Sequence, residues 1–145
     1  MKRTLALAFL ALGFAVAAFT GCDTFTNRSA TQPALIASAT SPIADVPVPA
    51  GFTMIDSEST SKVVAATGLR FVDHRYRGPD GYLAIVRFYR EELPNRGWKF
   101  IDQNQVKEEI TLRFSKNNEE VAITTWDGVR HGHIRIKIDP AARGK

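Results

Sequence analysis

The residues able to do chemistry are few and scattered. His131-Gly132-His133 places two imidazoles at alternate positions. On a strand, alternate residues share a face, so both rings could address one metal ion, with His74 or Asp127 as a conceivable third ligand. However, Ile134, Ile136 and Ile138 form the inward set of the same segment. The two histidines then fall on the outer face with Arg135 and Lys137, and the expectation is solvated histidines and no metal. Asp56, Ser57, Glu58, Ser59, Ser61 and Lys62 form a polar run that reads as a loop beside a strand. There is no G-x-S-x-G turn to present a nucleophile and no glycine-rich loop to cradle a phosphate. The chain is therefore expected to be non-catalytic and to carry no cofactor.

The aromatic and basic residues near the carboxyl end offer binding chemistry instead. If Val121 and Ile123 point inward, strict alternation sends Ala122, Thr124 and Trp126 outward. Trp126 would then share a surface with Arg113, Arg135 and Lys137, a set suited to an anionic or glycan ligand. The opposing reading puts a β-bulge before Asp127-Gly128 and returns Trp126 to the core or a sheet edge. The second reading is preferred here, because exposing a tryptophan is costly.

Cys22 is the single cysteine, so no intramolecular disulfide can form. It follows a leader with Lys2 and Arg3 at its start and only apolar residues or glycine from Leu5 to Phe19. That core matches a signal peptide and falls short of the ~20 residues that span a bilayer comfortably. Phe19-Thr20-Gly21-Cys22 resembles the lipobox of bacterial lipoproteins, with Phe19 where leucine is usual. The resemblance implies cleavage before Cys22, a diacylglyceryl group on its sulfur and attachment to a membrane of the cell envelope. Asp23 resembles an inner-membrane retention signal. Two other outcomes stay open: cleavage after Ala15-Val16-Ala17, releasing a soluble protein, or retention of Thr4 to Gly21 as an uncleaved anchor.

Removing residues 1–21 takes two basic residues and no acidic one, leaving 17 basic against 15 acidic residues. So balanced a chain gives no reason to expect nucleic-acid binding. Residues 22–47 comprise Cys22 and a stretch rich in Thr, Ser, Ala and Pro, which reads as a flexible tether. The globular domain is expected at 48–139, with 140–145 as a tail.

Within that domain, Gly51 to Ile55 and Leu69 to Arg77 read as strands. Gly78-Pro79-Asp80-Gly81 is a turn leading into a helix, with Asp80 as the expected N-cap. Tyr82, Ile85, Val86, Tyr89 and Leu93 recur at steps of three and four, one face of an amphipathic helix. Gly97 is placed to end it. Trp98 to Val106, Glu109 to Ser115, Val121 to Trp126 and Gly132 to Asp139 follow as strands divided by short turns. The expected fold class is α+β: one amphipathic helix packed on an antiparallel sheet of four to six strands, the last three a meander. The segment Phe88-Tyr89 … Leu93-Pro94 … Gly97-Trp98 resembles the helix-to-strand junction of small uncharacterised bacterial envelope α+β domains. That resemblance implies a fold and no chemistry.

Two functions fit these residues. One is a non-catalytic interaction module, held to a membrane through lipid on Cys22 and docking on another envelope protein. The other is a ligand-binding module for an anionic or glycan envelope component, using Trp126, Arg113, Arg135 and Lys137.

Overall fold

The computed structural model describes residues 33–141. Cys22, Asp23, the leader, the first part of the tether and the end of the tail lie outside the described residues. Seven strands and one α-helix follow in chain order, with a turn of 3-10 helix (Asp56–Glu58) after the first strand: β1 (Thr53–Met54), β2 (Thr60–Val64), β3 (Leu69–Gly78), α1 (Tyr82–Asn95), β4 (Lys99–Val106), β5 (Glu109–Lys116), β6 (Glu119–Asp127) and β7 (Gly132–Pro140). All pair antiparallel, in the order β1-β3-β7-β6-β5-β4, with β2 also on β3. The α+β class and the terminal meander match the sequence reading, but the sheet has seven strands where four to six were expected, β2 being the addition, and the meander takes in β4 as well. No described helix is long and apolar enough to cross a membrane.

Alternation decides the two faces of the sheet. Ile110, Leu112 and Phe114 of β5, Val121 and Ile123 of β6, and Ile134, Ile136 and Ile138 of β7 are buried on one face. Helix α1 covers that face with Ile85, Val86, Phe88, Tyr89 and Leu93. Its carboxyl end closes with the Gly97 backbone at φ 84°, where Trp98 N–H donates to Leu93 O and Gly97 N–H to Pro94 O. This is the paired hydrogen-bond ending that a left-handed glycine permits. Gly132 has a different reason to be glycine: a Cβ there would sit 1.9 Å from the Asp80 carbonyl oxygen.

Three sequence expectations need correction. Asp80 does not cap the helix; Gly81 is the N-cap and makes no side-chain bond. The Asp127 carboxylate, at the end of β6, accepts the Tyr82 N–H at 2.8 Å instead. A carboxylate at this position also meets the positive end of the helix dipole. The polar run after Asp56 is not all loop, since Thr60–Val64 forms β2 along β3. Ser59 serves the structure there, its hydroxyl donating to Ile55 O and accepting the Arg75 N–H.

The third correction concerns the boundary at Val48. Within the stretch read as tether, Ile43 and Val46 are buried and join the core beside Val48, with Leu35 and Ala37 packed against them. A proline-rich segment can bury itself because proline brings no N–H that needs a partner. Pro47 and Pro49 are buried in this strap, and backbone bonds within it tie its two ends together, with Ser38 N–H donating to Val48 O and Ala50 N–H to Ile36 O at 2.8 Å each. The ordered unit thus includes residues 33–47.

Candidate functional site

The strap lies across the end of the sheet where β3 and β6 begin, and a four-member charge network holds it there. The Asp45 carboxylate accepts from Arg70 at 2.7 Å and from Lys116 at 3.1 Å. Arg70 also grips Glu119 through Nε at 2.9 Å and through Nη2. The Trp98 indole N–H donates to Asp45 O at 3.0 Å. Burial alone would raise the pKa of Asp45, but the bonds and charges of Arg70 and Lys116 outweigh it and hold the carboxyl below its usual range. The bonds to Glu119 and Asp45 push Arg70 upward in turn.

Between this strap and strands β2 and β3 lies an open pocket of about 190 Å³. The strap gives Pro42, Ile43 and Ala44; β2 gives Ser61, Lys62 and Val63; β3 gives Arg70, Val72 and His74. Ile43, Val72 and His74 are buried. Larger hollows beside Gly97 and beside Asp102 are lined by no buried side chain. The pocket below the strap therefore has an apolar interior with a polar group set into it, the usual build of a small-molecule site.

That polar group is His74. It alternates with Val72 and Tyr76 on the inward face of β3, and only 6% of it is exposed. Its Nδ1 lies 3.0 Å from the Tyr76 hydroxyl. Burial lowers the His74 pKa, and the nearby Asp73 charge offsets this only in part. The imidazole is therefore neutral at physiological pH. Burial pushes the Tyr76 phenol up to about 12 and Tyr89 well above its usual value, so both stay protonated.

The residues singled out from the sequence take other places. Trp126 follows the alternation without a bulge: Val121, Ile123 and Thr125 are buried, while Trp126 is half-buried on the outer face. Its expected return to the core does not occur. A cross-strand partner removes part of the cost, because the indole stacks on His133 with ring centroids 5.2 Å apart and planes 6° from parallel. Arg113, Arg135 and Lys137 share that face, but each already has a carboxylate partner. Arg113 holds Asp102 through two bonds and also reaches Glu120. Arg135 grips Asp73 at 2.8 and 2.6 Å, and Lys137 meets Asp139 at 2.8 Å. They form a neutralised charge ladder rather than an open cationic patch.

The histidines are likewise dispersed. His133 stacks under Trp126, His131 is exposed in the turn before β7, and His74 is on the opposite face of the sheet. Asp127 is engaged at the helix start. Among the described residues no three His, Cys, Asp or Glu side chains are grouped to hold a metal ion. Sequence reasoning passed over the pocket. Its available signal was a histidine between Val72 and Tyr76 at inward positions of a strand; the wall given by Ile43 carried no local signal.

No curated protein and no solved structure matches the chain. One family model does, described as START domain-like, over residues 51–127, more than half of the chain. The match runs from just before β1 to the end of β6 and includes the β2 and β3 walls of the pocket. The strap and β7 lie outside it. The chain belongs to the START domain-like family.

Proposed function

We propose that this protein is a non-catalytic ligand-binding module of the bacterial cell envelope, held to a membrane by lipid on Cys22. The observation that carries the binding reading is the pocket beneath the strap, with three buried side chains among its walls and a neutral histidine within. Membership of a family whose domains are generally binding modules supports it. At about 190 Å³ the pocket is below the usual range of drug-sized sites, so it suits a small molecule or one end of a larger one. The lipid reading rests on the leader and on Thr20-Gly21-Cys22. Only ten residues, 23–32, lie between Cys22 and the described residues. The domain would then work close to the headgroups.

Two measurements test this reading. The intact mass of the protein from membranes, beside Cys22→Ala, should show cleavage before Cys22 with a diacylglyceryl group that the variant loses. A mass matching cleavage after Ala17 without lipid would refute the anchoring. Fragment screening by NMR should then find ligands that shift Ile43, Val63 and Val72 together, and a screen in which none does so counts against the pocket.

A second reading is favoured by one edge of the sheet. Strand β4 pairs only with β5, and Phe100, Ile101 and Val106 are exposed along it. An unpaired edge can accept a strand from another envelope protein. The irregular register between Phe100 and Asp102 interrupts that edge, so the pocket remains the better supported site.

A further inference from the structure

The pocket is chemically asymmetric at His74, and this narrows what it can hold. The Nδ1 edge of the ring is turned to the Tyr76 hydroxyl, and Tyr76 is not part of the pocket wall. Two proton arrangements could make that bond. A phenol is a better proton donor than a neutral imidazole N–H, and an imidazole nitrogen is a better acceptor than a phenol oxygen. The Tyr76 O–H therefore donates to Nδ1, and the ring proton sits on Nε2. Nε2 has no partner among the described residues, and it is not among the sealed, unpartnered atoms, which are the Tyr89 hydroxyl and Arg96 Nε. It is a solvent-reachable N–H donor in a wall otherwise formed at depth by Ile43 and Val72.

Neither cation of the pocket wall offers a free charge beside His74. Arg70 is occupied by Asp45 and Glu119. Lys62 is paired opposite Phe71 of β3, so its side chain leaves the sheet on the outer face, away from His74. We infer that His74 selects the ligand: the pocket takes a short apolar group bearing a carbonyl or carboxylate oxygen, which accepts the His74 Nε2–H. This inference rests on the pocket being the binding site. It adds to that reading a required atom on the ligand and a residue that recognises it.

The test uses the full chain in lipid nanodiscs and three probes of equal length: hexanoate, hexanamide and hexylamine. The first two carry the acceptor oxygen and the third does not. Hexanoate and hexanamide should shift Ile43, Val63 and Val72 saturably and move the His74 Nε2–H signal, while hexylamine should not. The imidazole nitrogen shifts of the unliganded protein should report the Nε2–H tautomer. His74→Phe, which keeps a ring and loses the donor, should weaken hexanamide by about tenfold or more. His74→Gln, which restores an N–H, should recover most of that loss.

An Nδ1–H tautomer, equal shifts with hexylamine, or undiminished hexanamide binding by His74→Phe would overturn the selection by His74 and leave the pocket standing. If none of the probes shifts the pocket residues, the selection and the pocket reading fall together. Should the Phe variant not fold, the tautomer and the probe series in the unaltered chain still decide.

Discussion

The inner and outer faces of the sheet are built from the same strands at alternate positions, yet they hold polar groups by opposite means. On the inner face His74 and Tyr76 sit among isoleucines, and each remains uncharged because burial penalises its ionised form. On the outer face Arg113, Arg135 and Lys137 remain charged, and each is neutralised by a neighbouring carboxylate in contact with water. The same residue types would behave differently if exchanged. His133 on the outer face stacks on an indole, whereas at position 74 the imidazole is a neutral donor. Binding specificity of a small site depends on the second kind, since a polar group out of water discriminates between partners that satisfy it and partners that do not.

Substitutions on the two faces should diverge sharply, and the largest effect belongs to the inner side. Trp98→Ala removes a side chain that is 2% exposed and holds the strap through its indole N–H. It should cost about 3–5 kcal/mol in denaturant unfolding. Gly132→Ala forces a methyl group against the Asp80 carbonyl, where backbone has to move. A loss of about 1–3 kcal/mol follows, visible as a lower melting temperature. If either variant were as stable as the parent, the packing of strap or turn described above would be wrong.

Acid should sharpen the contrast further. His74 has a folded pKa below its unfolded value, so the unfolded chain binds the proton first. Stability should therefore fall as pH drops below about 6.5, and His74→Gln should remove that part of the slope. Asp45 and Asp73 are also depressed in the folded state, so their contribution is present above about 3.8 and is lost as pH falls below it. Two separate acid phases in a stability profile are expected, the upper from the inner face and the lower from the carboxylates.

The outer face gives the smallest effects. Trp126→Ala should cost only about 1 kcal/mol, mainly the loss of its stacking on His133. A loss near that of Trp98→Ala would restore the reading of Trp126 as core. Arg113→Ala should leave the unfolding midpoint within error, because its ion pairs are solvent-exposed.

Much of the fold could be read from local pattern. The three-and-four spacing of Tyr82, Ile85, Val86, Tyr89 and Leu93 identifies the helix, and Ile110-Leu112-Phe114 and Ile134-Ile136-Ile138 identify strands and their inward faces. The site was much less legible. Its walls come from the strap, β2 and β3, and two of those three segments have no periodic apolar signature. Residues 41–49 resemble a tether in composition because a short chain of valines and prolines has no repeat from which burial can be inferred. The Asp127 cap on the helix was equally invisible, its partner amide being 45 residues earlier in the chain.

By itself the sequence determined the alternation and helical periodicity, since these depend on side chains a few positions apart. It also determined the charge balance and the single thiol that carries the lipoprotein resemblance. Only the tertiary structure decided that the strap is core, that Trp126 stays outside, that the basic residues of the outer face are neutralised, and that His74 and Ile43 line one pocket. Each of these is a contact between segments far apart in the chain. Such contacts form when a surface finds a partner to exclude water from, and no local pattern specifies which partner that will be.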